Sequence, residues 1–244
     1  MSTTRSSVRF LPDGTVLHNR LLASLPGRDY ARVLKRLQMI TVAVGEILER
    51  PDTAVSAVYF PNGGVFSITA PMRDAAMVEV ATVGFEGMLG VGVLLGDRLG
   101  TGRMFQQVPD GLLPAMPVDA FVQESGRAGA FRDVLMRYAQ ASLLQSMQST
   151  ACNALHDVKQ RCSRWLLQTQ DRVGAEEFAL KHEFLAIMLG VHRPTATLAV
   201  DALQRAGVIR SRYGRVRIEK RRGLEAVSCE CYGTIKAHFA RLGL

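Results

Sequence analysis

The segment 180–218 limits the possible folds more than any other part of this 244-residue chain. Apolar residues recur at spacings of three and four over 181–189, which predicts a short amphipathic helix. Gly190 follows directly and can end that helix in the left-handed conformation at little cost. Pro194 suits the first turn of a helix, so a second helix is predicted to begin at His192 or the next residue.

A basic hairpin is predicted directly after the second helix. Residues 208–212 and 215–218 alternate apolar and charged side chains on either side of Tyr213 and Gly214, which is typical of two strands with one wet face. Each of these elements is common by itself. In this order they form the layout of a winged helix-turn-helix, which binds duplex DNA.

The distribution of charge favours the same interpretation. The chain has a formal net charge of +8, and residues 159–222 carry this whole excess, with 14 Lys and Arg against 6 Asp and Glu. A basic excess confined to one region is typical of a site that binds a polyanion. A membrane surface is the competing partner, and it is disfavoured because no run of about 18 apolar residues occurs.

The first half of the chain has a different pattern. Strand-like runs at roughly ten-residue spacing predict an antiparallel β-roll or sandwich, and they lie at about 39–44, 54–60, 64–69, 77–83, 102–108 and 111–116. A helical pattern over 130–155 has small residues beside large ones, which predicts a long dimerisation helix. The alternative is a helix that packs only on its own roll.

The predicted fold class is therefore α+β, with an N-terminal antiparallel β-roll and a C-terminal winged helix-turn-helix. We expect an N-terminal tail (1–18), a β-roll sensor-like domain (19–126), the dimerisation helix (127–157), the DNA-binding domain (158–222) and a C-terminal helix (223–244). The first residues have no apolar stretch typical of a secretory signal, so the cytoplasm is the expected location.

The patterns do not favour metal chemistry or catalysis. The four cysteines Cys152, Cys162, Cys229 and Cys231 lack the paired spacing of structural zinc sites, so no metal site is expected. The close pair at 229 and 231 is interpreted as two thiols on a C-terminal helix, with a redox pair as the alternative. No histidine lies between residues 19 and 155, and no nucleophile elbow or phosphate-binding loop occurs, so we expect neither an enzyme nor a bound cofactor.

From about residue 19 to residue 218 the chain resembles the Crp/Fnr family of bacterial transcription factors, named after the cyclic AMP receptor protein and the fumarate/nitrate reduction regulator. Segments 58–64 and 78–90 are similar to the roll and its glycine-rich cassette, and 190–195 is similar to the turn and the start of the recognition helix. The resemblance implies a homodimer on a pseudo-palindromic DNA site, with RNA polymerase as a further partner.

The resemblance also locates a possible effector pocket, formed by Gly87, Met88, Leu89, Gly90, Arg103 and Met104. In the family, a cassette glutamate bonds the ribose hydroxyl and an Arg-Ser pair binds the cyclic phosphate. Here Met88 replaces the glutamate and Met104 replaces the serine, and an unpaired sugar hydroxyl would cost about 1–3 kcal/mol. We therefore expect no response to cyclic AMP. The effector is left open, and a ligand-free scaffold or protein-docking module is the alternative.

By the same resemblance, Arg193 matches the arginine that begins the recognition helix and reads guanine. Pro194 and Leu198 replace polar family residues, so the half-site is expected to differ from the familiar one. His192 is assigned either a phosphate contact or a role as a turn residue. The candidate DNA-binding residues are Lys181, His192, Arg193, Thr195, Thr197, Arg212, Arg215 and Arg217.

Overall fold

The computed structural model describes residues 8–72, 77–109 and 111–244, so the first seven residues of the expected tail lie outside the described part. Two short helices, α1 (Arg20–Ala23) and α2 (Gly27–Leu34), precede the sheets. The buried side chain of Asn19 accepts a hydrogen bond from the Leu22 amide and so begins α1.

Seven strands in the described residues form two antiparallel sheets, which confirms the predicted β-roll. One sheet has the order β1-β7-β3 and the other β2-β6-β4-β5. The strands are β1 (Gln38–Ile40), β2 (Ile47–Glu49), β3 (Ala57–Tyr59), β4 (Val65–Pro71), β5 (Met77–Val83), β6 (Arg103–Val108) and β7 (Leu113–Pro117). The sequence did not predict β2, because three residues are too few to establish an alternating pattern.

Helices close one side of the roll. After α3 (Val91–Leu94), α4 (Val118–Ser125) and the long α5 (Ala130–Leu155) pack on the strands. The buried rings of Phe60, Phe121 and Phe131 meet with centroids 6.2–6.5 Å apart in tilted and edge-to-face contacts. The N-terminal half of α5 therefore belongs to the core of the roll.

The helix α5 confirms the predicted long helix, and it is apolar on two faces. Val134, Leu135 and Tyr138 are buried against the roll. On another face, Met136, Leu143 and Met147 are exposed by 44%, 62% and 60%. The helix thus packs on the roll through one face, and its second apolar face is exposed to solvent.

The remaining elements form the helix-turn-helix region and a last helix that packs on the roll. They are α6 (Val158–Val173), β8 (Glu177–Ala179), α7 (His182–Leu189), α8 (Arg193–Arg205), β9 (Ile209–Arg212), β10 (Arg215–Ile218), α9 (Arg221–Val227) and α10 (Cys231–Arg241). A capping box between Asp157 and Gln160 begins α6. Among the described helices, none is both long enough and apolar enough to span a membrane.

Two details differ from the sequence predictions. The expected two-stranded hairpin is a three-stranded sheet of order β8-β10-β9. The expected single C-terminal helix over 223–244 is two helices, because Ser228 is extended between α9 and α10. Leu224 of α9 lies in the apolar core of the helix-turn-helix region, whereas Phe239 of α10 lies in the core of the roll.

Candidate nucleic-acid interface

The turn between α7 and α8 has the geometry that the sequence predicts. Gly190 ends α7 with φ +60° and ψ 41°, and the amide of Val191 bonds the Ala186 carbonyl at 3.0 Å. His192 is extended and immediately precedes α8. Pro194 follows as the second residue of that helix, where its missing amide proton costs no hydrogen bond.

The two faces of α8 are clearly divided. Ala196, Val200 and Leu203 are completely buried, as predicted for the inner face. Arg193 and Thr195 are exposed on the other side, near the beginning of the helix. The side chain of Leu198 is 65% exposed, although leucine is an unfavourable choice for a purely solvated surface. This outer face can therefore meet another surface without disturbing the core.

The β9-β10 hairpin forms the wing. Tyr213 and Gly214 have φ of +51° and +72°, which is the type I′ geometry of a two-residue turn. Tyr213 lies at the tip and is 94% exposed, with the Arg212 guanidinium 5.5 Å from its ring centroid. Lys181 precedes α7 and is exposed near this tip, with its Cγ 3.9 Å from the position of a Cβ added at Gly214.

Two wing arginines are already paired with carboxylates of β8 and the residue before it. Arg215 forms a salt bridge with Glu177, and Arg217 forms one with Glu176 at 3.0 Å. The sequence reasoning missed these contacts because it did not predict β8. Exposed pairs of this kind stabilise a protein by about 1 kcal/mol or less, so a phosphate could replace either carboxylate at small cost.

Thr197 has a local partner. Its hydroxyl lies 3.1 Å from Nδ1 of His182, and Nε2 of the same ring lies 3.5 Å from the Ser211 hydroxyl. His182 thus connects α7, α8 and β9, a role that the sequence pattern did not indicate. The candidate hydroxyl at Thr197 is half-buried in this contact, whereas that of Thr195 is exposed. The geometry favours a positioning role for Thr197.

Three basic residues of the charged segment do not face solvent. Arg161, Arg164 and Arg172 are each no more than 9% exposed and lie on α6. The basic excess at the surface is therefore smaller than the sequence count indicates. The remaining excess is still concentrated around α7, α8 and the wing.

The buried polar groups fix α6 on the roll. Arg172 donates to Glu86 at 2.9 Å and to the Thr82 carbonyl at 3.0 Å. Glu79 of β5 accepts hydrogen bonds from the Ser67 hydroxyl at 2.8 Å and from the Trp165 indole at 3.0 Å. Burial raises the pKa of Glu79 to about 8, because removal from water disfavours the charged carboxylate more than these bonds favour it.

The possible effector pocket is densely packed around the glycine-rich cassette. Met88 and Leu89 are completely buried, and the Tyr138 hydroxyl donates to the Met88 carbonyl at 3.1 Å. A Cβ at Gly87 would lie 2.4 Å from the Tyr138 ring, and one at Gly90 would lie 2.8 Å from the Val58 side chain. These glycines are therefore needed for close packing.

The β6 residues of the predicted pocket lie in different surroundings. Met104 belongs with Met88 to the apolar core of the roll. Arg103 is half-buried, and its guanidinium donates toward the sulfur of Met77 at 3.1 Å. The two methionines thus lie in one core, whereas the Arg103 guanidinium contacts Met77 instead.

A cavity that the sequence did not predict lies between the roll, α6 and α10. Its volume is about 300 Å³, and its lining includes Phe85, Glu86, Arg172, Tyr232 and Phe239. These residues come from three distant segments, so no local pattern could have indicated the cavity.

The cysteines also differ from the sequence expectation. Cys152, Cys229 and Cys231 lie together with His156, although their spacing led us to expect no group of metal ligands. These residues meet because the segment between α9 and α10 lies against the end of α5. Cys162 is separate and lies in the core of the helix-turn-helix region, where burial raises its pKa to about 12.

The chain is similar to known proteins both in the sequence of one domain and in its fold. Residues 160–227 match the sequence model of the Crp-like helix-turn-helix domain. No curated protein sequence matches the chain. FixK2 from Bradyrhizobium japonicum has a similar structure, with a TM-score of 0.68 and 15% identity over 79% of this chain and 98% of that chain. A transcriptional regulator of the Crp/Fnr family from Eubacterium rectale gives 0.65 and 15%, covering 86% and 98%. A CRP-family regulator from Thermus thermophilus gives 0.65 and 15%, covering 78% and 96%.

Proposed function

We propose that this chain is a transcription regulator of the Crp/Fnr type that binds a pseudo-palindromic DNA site as a homodimer. The match of residues 160–227 to the Crp-like helix-turn-helix domain and the similarity of the fold to that of Crp/Fnr regulators support the proposal. The observation that carries the proposal is the solvent-facing outer side of α8 beside a basic wing. A helix in this setting enters the major groove with its first residues against the base edges.

Arg193 is the residue proposed to read a base. It begins α8, and its guanidinium is 66% exposed and paired with the exposed Glu183 at 3.2 Å. Such a pair is weak, so the guanidinium is free to exchange Glu183 for the two acceptors of a guanine. Leu198 on the same exposed face is suited to contact a thymine methyl group.

The proposed phosphate contacts lie on both sides of α8. Lys181 and Arg212 are exposed near the tip of the wing, and Arg215 and Arg217 can exchange their carboxylates for phosphates. The exposed His192 immediately precedes α8, and its imidazole makes no capping hydrogen bond. Phosphate contacts set the register of the protein on DNA and contribute little to the choice of sequence.

The exposed apolar face of α5 supports the homodimer. Met136, Leu143 and Met147 follow one another at intervals of seven and four residues, which is the spacing of a helix–helix seam. A second copy of the chain presents the same face, so the two helices can pair about a two-fold axis. Two recognition helices related by that axis would occupy half-sites about one helical turn apart.

The cassette supports the proposal that cyclic AMP is not the effector. Met88 occupies the position of the family's ribose-binding glutamate and is completely buried in the core of the roll. Calorimetry with cyclic nucleotides tests this, and heat of binding at micromolar concentration would contradict it. A roll that binds no small molecule would act as a scaffold or dock a protein, with RNA polymerase as the expected partner.

The experiment for the whole proposal is the selection of bound duplexes from a random pool, followed by measurement of the mass of the complex. We expect an enriched sequence with two-fold symmetry that carries two protomers. Enrichment of a lone half-site that carries one protomer would contradict the proposed homodimer.

A further inference from the structure

Four side chains with metal-ligating atoms converge at the junction between the two domains. Cys152 and His156 lie one turn apart at the end of α5, and Cys229 and Cys231 lie where α9 leads into α10. Their sulfur and nitrogen atoms all lie within 4.8 Å of one another. All three cysteines are buried, and the side chain of His156 is only 15% exposed.

The distances match the edges of a small tetrahedron. The sulfurs of Cys152 and Cys229 are 3.5 Å apart, and the Cys231 sulfur is 3.6 Å from Nδ1 of His156. Zinc–sulfur bonds of about 2.3 Å and zinc–nitrogen bonds of about 2.0 Å imply S···S edges of about 3.8 Å and S···N edges of about 3.5 Å. A disulfide would require about 2.0 Å between the sulfurs, and all three thiols are free.

We propose that Cys152, His156, Cys229 and Cys231 bind one zinc ion per protomer in a closed tetrahedral site. Three thiolates and one imidazole are a ligand set that zinc uses in structural sites. The set fills all four positions, so the ion would have no open position for a substrate. The proposed role is therefore structural, and it is independent of the proposed DNA site.

Neighbouring groups complete the site in the manner of known zinc centres. The other ring nitrogen of His156 lies 3.1 Å from a carboxylate oxygen of Glu230, the arrangement that orients a metal-bound imidazole. The side-chain amide of Gln148 donates to the Cys231 sulfur at 3.0 Å. Both contacts leave Nδ1 of His156 and the cysteine sulfurs directed at one another.

The surrounding charge also fits an anionic centre. One zinc ion with three thiolates and a neutral imidazole has a net charge of −1. Arg161 and Arg164 of α6 are buried, and the hydrogen bonds of their guanidiniums go to neutral acceptors, on Asn153, Leu189 and Gln168. Their Nε atoms have no hydrogen-bond partner among the described residues. A nearby anionic centre would balance these buried cations.

The position of the site gives the ion a specific structural effect. The chain passes between the two domains at the α5–α6 junction, and it returns at the α9–α10 junction. Helix α9 packs with the helix-turn-helix core, whereas α10 packs on α5, with Tyr138 and Phe239 in edge-to-face contact. The ligands lie at both crossings, so one ion would hold the two connections together.

The test is the metal content of the full-length protein, purified with reduced thiols and without chelator. We expect one zinc per protomer, and an absorption spectrum of tetrahedral cobalt with sulfur-to-cobalt charge transfer after replacement by Co²⁺. Cys231→Ser should lose the stoichiometric ion. Cys162→Ala is the matched control, because this buried cysteine lies outside the cluster, and it should retain the ion.

Variants of His156 and of its carboxylate partner Glu230 separate loss of metal from loss of fold. His156→Gln should fold, with a circular dichroism spectrum like that of the wild type, and should bind zinc much more weakly. Glu230→Gln should weaken binding by about 10–100-fold in competition with a chromophoric chelator. A wild-type protein that takes up neither zinc nor cobalt, or a Cys152–Cys229 disulfide in the reduced preparation, would overturn the proposal.

Discussion

At the scale of single residues, the side chains proposed to read bases and those proposed to bind phosphates lie on different elements. Arg193 and Leu198 project from the recognition helix, whereas Arg212, Arg215 and Arg217 lie on the wing. The two groups should differ in their dependence on DNA sequence and on salt. Base contacts specify the site, and phosphate contacts position the protein on any duplex.

Replacing Arg193 by Ala should weaken binding to the selected site by about 1–3 kcal/mol and relax the preference at one base pair of each half-site. The reason is the loss of a bidentate contact to a base edge. Titration against the selected site and single-base variants of it measures the effect. An equal loss on selected and unrelated duplexes would show that Arg193 contacts only phosphate.

Replacing Glu177 by Gln should strengthen binding on every duplex. The substitution removes the carboxylate that pairs with Arg215, so this cation becomes available to a phosphate. Titrations against selected and unrelated duplexes should both show tighter binding, whereas the slope of log affinity against log salt should stay near that of the wild type, because Arg215 contacts one phosphate in both proteins. Glu225→Gln, which changes a carboxylate on α9 outside the wing, serves as the control. Unchanged affinity of Glu177→Gln on every duplex would contradict the proposed phosphate contact.

A half-buried carboxylate predicts a dependence of stability on pH. The pKa of Glu79 is raised from 4.5 to about 8, so between these values the folded protein retains a proton that the unfolded chain releases. The free energy of unfolding should therefore fall as pH rises through this window, by up to about 1.4 kcal/mol per pH unit. Below about pH 4.5 both states are protonated, and the penalty disappears.

Glu79→Gln should remove this dependence, because glutamine fills similar space without titrating. Thermal unfolding at pH 5 and pH 8 measures the change, and the stability of the variant relative to the wild type should increase with pH. The exposed Asp133, changed to Asn, provides the control and should follow the wild-type curve. Parallel curves for wild type and Glu79→Gln would contradict the raised pKa.

At the scale of elements, α5 carries the proposed dimer interface. Leu143→Glu places a charge in the middle of its exposed apolar face, and this charge would be buried without a partner in a dimer. We expect the dimer dissociation constant to rise on the order of 100-fold, as measured by sedimentation. Gln123→Glu, which places a charge at an exposed polar position of α4 outside this face, should leave the dimer intact. Unchanged association of Leu143→Glu would place the interface elsewhere.

The elements that the sequence predicts well are those specified locally. Gly190 and Pro194 define the turn, and apolar spacing defines α5 and the inner face of α8. The wing turn follows from Tyr213 and Gly214. By contrast, β8 is too short to show a pattern and is stabilised by pairing with β10. The pairing of Glu176 and Glu177 with the wing arginines therefore has no local pattern in the sequence that could predict it.

A candidate site could be predicted from the sequence only where its geometry depends on residues that are close together in the chain. The solvent-facing residues of α8 follow from helical periodicity, which fixes the face of each side chain. The contact of Thr197 with His182 depends on how α7 packs against α8. The cysteine cluster depends on a return of the chain over more than 70 residues, from Cys152 to Cys229. Spacing in the sequence cannot reveal such contacts.

At the scale of the whole molecule, the α6 helix joins the roll to the DNA-binding region through buried polar contacts. Arg172 bonds Glu86 and Thr82, and Trp165 bonds Glu79. The proposed zinc site lies at the other end of α6, where α5 ends. A regulator built in this way would hold its recognition helices at a defined separation, and this separation decides which DNA it recognises.

The mass and symmetry of the protein–DNA complex test the central claim most directly. Full-length protein should be bound to the duplex selected from a random pool, and the complex should be measured by sedimentation and footprinting. We expect two protomers that protect two inverted half-sites with centres about one helical turn apart, roughly 10 base pairs. A single protomer that protects one half-site, or protection without sequence preference, would contradict the account.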